Sequence, residues 1–290
     1  VSTMVGGRQL TSAGTPGLLS PRRLPAGAIS LAVGAVVWEI AGRIVDQPFL
    51  PPLSAVVARL ADMVGSGMIV GSLGASLVNL AIGFGVSLAL GLVVGVAMGR
   101  YRKVEAALGV YVYALLTAPS LVFAPIFFSL LGDGRGSIVG VVVMYSAFIM
   151  IINTASAIQT VPGHLVEMAR SYGASERQVL LQIMLPAAAP LIMAGVRLGV
   201  GRAVVGMING EMFISVIGLG RIVTQAGGRF DGAGVLAILL VIIAVALGAV
   251  ALVQAVDRRL TRWLPTTSRP ATPSRRPVPA GARKTSGGKP

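Results

Sequence analysis

From Ser72 to Met98 the chain runs 27 residues without a charge. It is equally bare from Ala106 to Gly132, from Gly136 to Gly163 and, for 25 residues, from Gly232 to Val256. About 20 apolar residues suffice for a helix to cross the hydrocarbon of a bilayer, where every backbone amide must find its partner inside the chain. Repeated runs of this length dictate an all-α polytopic membrane protein. Composition closes the alternative: 12% of the 290 residues are charged, against about a quarter in a soluble domain, so a water-soluble bundle has too little polar surface.

Six spans are expected, at 27–44, 72–98, 107–131, 137–157, 190–211 and 233–256. With the N-terminus inside, 17 Lys and Arg fall on the inner side (nine of them after Asp257), against five outside (Arg43, Arg59, Arg135, Arg221 and Arg229). Positive charge collects on the cytoplasmic side of a membrane, so both termini and the 163–186 segment are expected in the cytoplasm. Residues 1–24 and 265–290 read as basic disordered tails around a membrane domain at 25–264, with its core at about 68–257. Arg22 and Arg23 precede an apolar stretch that reaches Trp38 and Glu39 without a small-x-small cleavage site, which predicts an uncleaved first span. Trp38 and Glu39 read as an interface anchor, and Ser54 as the cap of a short amphipathic helix after Pro51 and Pro52.

Several chemistries drop out. There is no cysteine, so disulfides and thiolates are excluded. The single histidine, His164, cannot build a metal site alone, and no glycine-rich phosphate loop with its lysine occurs. No enzyme signature and no cofactor site is expected. The formal charge of +14 lies mostly in the tails and inner loops, which suits anionic lipid rather than nucleic acid.

Between two of the apolar runs lies a polar island, Gly163 to Pro186, with Glu167, Arg170, Glu176 and Arg177. Leu165 to Tyr172 suits two turns of helix. Gly173 suits a left-handed reversal, and Ser175 with Gln178 suits a capping box opening a second helix. Glu167, Met168 and Ala169, Gly173 four residues on, then Ile183, Leu185 and Pro186 keep the spacing of the EAA loop. The island therefore resembles that loop of ABC-transporter permeases of the binding-protein-dependent, type I importer kind, in the nitrate/sulfonate/taurine group. It departs from the motif only at Met168, where alanine is expected. The likeness extends over about residues 28–263.

That resemblance implies a coupling helix between spans four and five, docking on ATP-binding cassette ATPase subunits that hydrolyse ATP in a separate chain. Two ATPase subunits, a second copy of the permease and an extracytoplasmic solute-binding protein complete the implied complex in a bacterial inner membrane. An ion-coupled secondary carrier would instead call for a paired inverted repeat and an acidic mid-membrane ion site. A purely structural membrane protein would have no ATPase partner.

Two further features concern the membrane interior. Gly83, Ser87, Gly91, Gly95 and Gly99 recur every four residues, a ridge for close helix packing. Asn79, Asn153, Arg197, Arg202, Asn209 and Glu211 are the polar candidates for pathway or interhelical pairing. Glu211 and the later Gly218-Leu219-Gly220 resemble positions of the same permease group. Arg202 and Glu211, nine residues apart, are out of phase and are not expected to pair with each other.

Overall fold

The computed structural model describes residues 24–45, 47–214 and 217–260. The two tails, at 1–23 and 261–290, lie outside the described residues. Among those described there are helices and turns and no strand. The helices are α1 (Leu24–Val45), α2 (Leu53–Gly65), α3 (Met68–Arg100), α4 (Arg102–Thr117), α5 (Ala124–Leu131), α6 (Arg135–Gln159), α7 (Gly163–Ser171), α8 (Glu176–Gln178), α9 (Leu185–Ile214), α10 (Gly218–Gly228) and α11 (Gly232–Leu260). Among the described residues five helices are long and apolar enough to cross a membrane, α8 through α9 counting as one continuous 39-residue rod.

The expected third span is the correction. Instead of one helix over 107–131, α4 and the segment Ser120–Leu131 meet at 99°; together they make the sixth crossing or a re-entrant loop. The cause is Pro119. It disfavours the helical region for Ala118, which is extended at φ −63°, ψ 141°, and it brings no amide donor. Thr117 closes α4 by donating its hydroxyl to the carbonyls of Tyr113 and Ala114.

α6 is the core helix, flanked by glycine stripes from both sides. An added Cβ at Gly83 would lie 2.5 Å from Val142, at Gly91 2.6 Å from Met150, and at Gly95 2.6 Å from Thr154. Ser146 donates to Ser87 at 2.7 Å in the same row. Both series advance together, so α3 and α6 run parallel, with the ridge seated inside the protomer. On the adjoining flank Gly195, Gly199, Gly206 and Gly210 meet Asn153, Met150, Tyr145 and Ile138 in descending order; α9 is antiparallel to α6. Without a hydrophobic drive between helices in lipid, such backbone approach supplies the association. Gly91→Leu is therefore expected to cost roughly 1–3 kcal/mol by overpacking, read as a lower thermal midpoint in detergent. Gly85→Leu, on the open face of the same helix where a Cβ meets nothing within 4 Å, is expected to leave that midpoint in place.

The two ends of the bundle are tied by polar contacts. At one, Trp38 donates its indole N–H to Pro51 O, and Glu39 accepts from both the amide and the hydroxyl of Ser54. Ser54 thus sits inside the first turn of α2 and ties it to α1; the N-cap is Pro52, with no side-chain cap. Nearby, Arg59 on α2 pairs with Asp231 at 2.8 Å. Partial burial works to raise the Asp231 carboxyl, but the Gly234 amide and the Arg59 and Arg229 charges outweigh it and hold it below the usual range. At the other end, Arg197 on α9 pairs with Asp257 on α11 at 2.5 Å.

Candidate functional site

The polar island folds as an elbow. α7 closes through the Gly173 amide on Arg170 O and the Ala174 amide on Ala169 O, a Schellman closure. Gly173 is left-handed at φ +81°. Ser175 then opens α8 with a full capping box, its hydroxyl accepting from the Gln178 amide while the Gln178 side chain accepts from the Ser175 amide. The chain continues without a break into the membrane. Between α8 and α9 the turns widen to a π-helix, Val179–Met184, where the Leu185 amide bonds Leu180 O. Pro186 lies just beyond: its ring would press on the carbonyl four residues back in a regular helix, and the widened turn relieves it. The second helix of the island is thus no separate element; it is the head of the long rod.

The island's residues divide by burial. Ala169 is buried, and Ile183 and Leu185 pack with it against the core cluster that includes Val179, Met184 and Ile192. Glu167, Met168 and Gly173 face outward. Tyr172, at the C-terminal cap of α7, is 88% exposed. Glu176 is the tie to the rest of the protein: it accepts from Arg170 within the elbow and from Arg100 at the end of α3. Arg100 was missing from the candidates. Its adjacency to the polar tail of the α3 ridge was the signal in the sequence, but the fold is needed to bring it to the elbow.

The intramembrane polar residues separate into three groups. Glu211 is fully buried. It accepts from the Ser76 hydroxyl at 2.8 Å, the Asn79 amide at 3.0 Å and the Gly220 backbone amide at 3.1 Å. Ser76 accepts in turn from the Leu219 amide. The Gly218-Leu219-Gly220 turn is what admits the carboxylate: a Cβ at Gly218 would lie 2.2 Å from it. Glu211 and Asn79 are therefore an interhelical clamp joining α3, α9 and α10. Arg197 is likewise structural, through Asp257. Ser76, a missed partner, lies one turn before Asn79.

Asn153 lies on α6, and Arg202 and Asn209 on α9, the two helices that pack closely along the glycine row. Asn153 donates to Ile149 O within its own helix, and Asn209 donates to the Tyr145 hydroxyl at 2.8 Å. Arg202 is exposed and makes no hydrogen bond or ion pair among the described residues. At mid-bilayer an uncompensated Arg costs at least roughly 2.5–3.5 kcal/mol. Among the described residues no three metal-ligating side chains cluster.

Comparison with known proteins follows the same lines. The family described as binding-protein-dependent transport system inner membrane component matches residues 87–262. The chain is similar to a formylaminopyrimidine transport permease protein of Halalkalibacterium halodurans, 29% identical over 79% of this chain and 91% of that one. It is also similar to a putative aliphatic sulfonates transport permease protein of Bacillus subtilis, 28% identical over 82% and 87%. Among solved structures it shares the fold of the MetNI methionine ABC transporter in an inward-facing conformation, with a TM-score of 0.52 at 21% identity, covering 63% of this chain and 93% of that one.

Proposed function

This chain belongs to the binding-protein-dependent transport system inner membrane component family, and from that premise we propose how it works: as the importer's pathway subunit, driven from the cytoplasmic side through its elbow. The family is a transport component and not an enzyme, and neither an ion-coupled carrier nor a purely structural protein fits it. In this reading Glu167, Met168 and Gly173 form the surface that docks on two ATP-binding cassette ATPase subunits. Ile183, Leu185 and Pro186 form the joint through which their motion enters the membrane. The single supporting observation is the mechanical continuity of Glu176–Ile214, with Glu176 held to α3 through Arg100.

Displacing the elbow therefore moves the rod and α3 together about α6, and this is the element that converts ATP binding into alternating access. A second copy of the chain, facing the exposed side of α9, encloses the pathway. An extracytoplasmic binding protein delivers a small polar solute, as with the sulfonate and pyrimidine permeases it is similar to. The elbow end faces the cytoplasm of a bacterial inner membrane, where the basic ends of the helices collect.

The chain has no cysteine, which permits a direct check. Met168→Cys, at a position 54% exposed, is expected to form a mercury- or bismaleimide-bridged adduct with a co-expressed ATPase subunit that carries a surface cysteine to supply the second thiol. The same residue at Val122, 65% exposed on the α4–α5 segment, is expected to form none. Equal adduct yields at both positions would remove the docking role of the elbow.

A further inference from the structure

Resting on the permease reading, we propose that Arg202 is a binding residue for the oxyanion group of the transported solute, on the face of α9 that it shares with Asn209. Its depth is fixed by its neighbours. Gly199 meets Met150 and Gly206 meets Tyr145, so Arg202 lies level with the α6 segment between them. That is about ten residues above the end of α6, or roughly 15 Å in from it. A guanidinium held there must face water, an acid or an anion.

No acid is available to it. Of the chain's ten Asp and Glu, Asp46 lies outside the described residues and eight sit within two turns of a long-helix end or in the segments between the long helices. The tenth, Glu211, is wholly occupied by its own protomer. A second copy therefore cannot offer a carboxylate at this depth. A two-fold seam instead brings a second Arg202 into the same space, and two guanidinium groups in one vestibule favour an anion.

The neighbours suit the same ligand. The Tyr145 oxygen accepts from Asn209, which leaves the phenolic hydrogen free to donate. Leu198 and Val205, 57% and 51% exposed, flank Arg202 on α9 and give that face apolar sides. A planar guanidinium matches a carboxylate, sulfonate, nitrate or phosphate, and the Tyr145 hydroxyl, held at Asn209 two turns further along α9, is a second donor.

The absence of cysteine again supplies the test. Val205→Cys, in the full complex with its ATPase subunits in phosphatidylcholine nanodiscs, is treated with two thiol reagents, the anionic sulfonatoethyl and the cationic trimethylammonioethyl methanethiosulfonate. The sulfonate reagent is expected to react at least tenfold faster. Adding Arg202→Gln is expected to reduce that preference to within about twofold, Arg202→Lys to keep most of it, and millimolar methanesulfonate to protect the site. A preference that survives Arg202→Gln overturns the inference. So does a thiol that only lipid-soluble maleimides reach, since Arg202 would then face lipid. Loss of the preference on exchanging the lipid for phosphatidylglycerol would assign the anion to a headgroup and overturn the solute. Each of these outcomes leaves the permease reading intact so long as the variants still co-purify with the ATPase; failure of the unmodified chain to co-purify defeats that reading instead.

Discussion

Gly218→Val is expected to abolish correctly folded permease, leaving no monodisperse peak on size exclusion of the detergent extract. Two costs coincide at this residue. Its φ of +85° is left-handed, which a β-branched side chain resists by roughly 1–2 kcal/mol. Its Cβ would also lie 2.2 Å from the Glu211 carboxylate, so the acid must leave. That departure strands the Ser76 hydroxyl, the Asn79 amide and the Gly220 amide, each a buried donor costing roughly 1–3 kcal/mol without an acceptor. The sum is of the same order as the entire stability of an ordinary domain, about 5–15 kcal/mol.

Companion substitutions locate the cause. Glu211→Ala strands the same donors and is expected to fail in the same way. Glu211→Gln keeps an acceptor for Ser76 and Gly220 and adds a donor, while the Asn79 carbonyl oxygen has no partner; it is expected to retain a folded peak with a lower thermal midpoint. Gly227→Val in the same helix, where a Cβ meets nothing within 4 Å, is expected to behave as the unsubstituted chain. A normal peak for Gly218→Val would mean that α10 does not close on Glu211.

How much of this was legible beforehand follows from the range over which each signal acts. Spans and elbow depend on local pattern, so the uncharged runs, the left-handed Gly173 and the Ser175–Gln178 box could be read directly. The bend at Pro119 was also local, but the apolar run continues across it, and hydropathy alone does not register a lost amide donor. The clamp was out of reach for another reason. Ser76 and Asn79 lie more than 130 residues from Glu211, and nothing in the spacing of one helix says which acid on another it will meet. Glu211 and the Gly218-Leu219-Gly220 turn could both be singled out, but that the turn exists to admit the carboxylate is a fact of packing. Arg202 shows the reverse: the sequence marks it as out of phase with Glu211, and the structure gives it no partner among the described residues.

Gly173→Val is expected to uncouple the transporter without unfolding it. A Cβ at this residue would meet no atom within 4 Å, so unlike Gly218 the whole cost is the left-handed backbone at φ +81°, roughly 1–2 kcal/mol. The helix core is untouched, and the thermal midpoint is expected to stay within a few degrees. The strain is relieved by opening the turn, which reorients α7 and breaks the registration of Met168 and Tyr172 with the capping box behind them. Because about 1.4 kcal/mol is a tenfold change in affinity, ATPase docking is expected to weaken by about tenfold, and binding-protein-stimulated ATP hydrolysis to fall with it. Gly173→Asn separates conformation from size: asparagine tolerates the left-handed region, so it is expected to keep more than half of that activity despite its larger side chain. If the two variants lose activity equally, the turn matters for the space it leaves open to the partner and not for its handedness. If neither loses any, the elbow is not the element through which the ATPase acts.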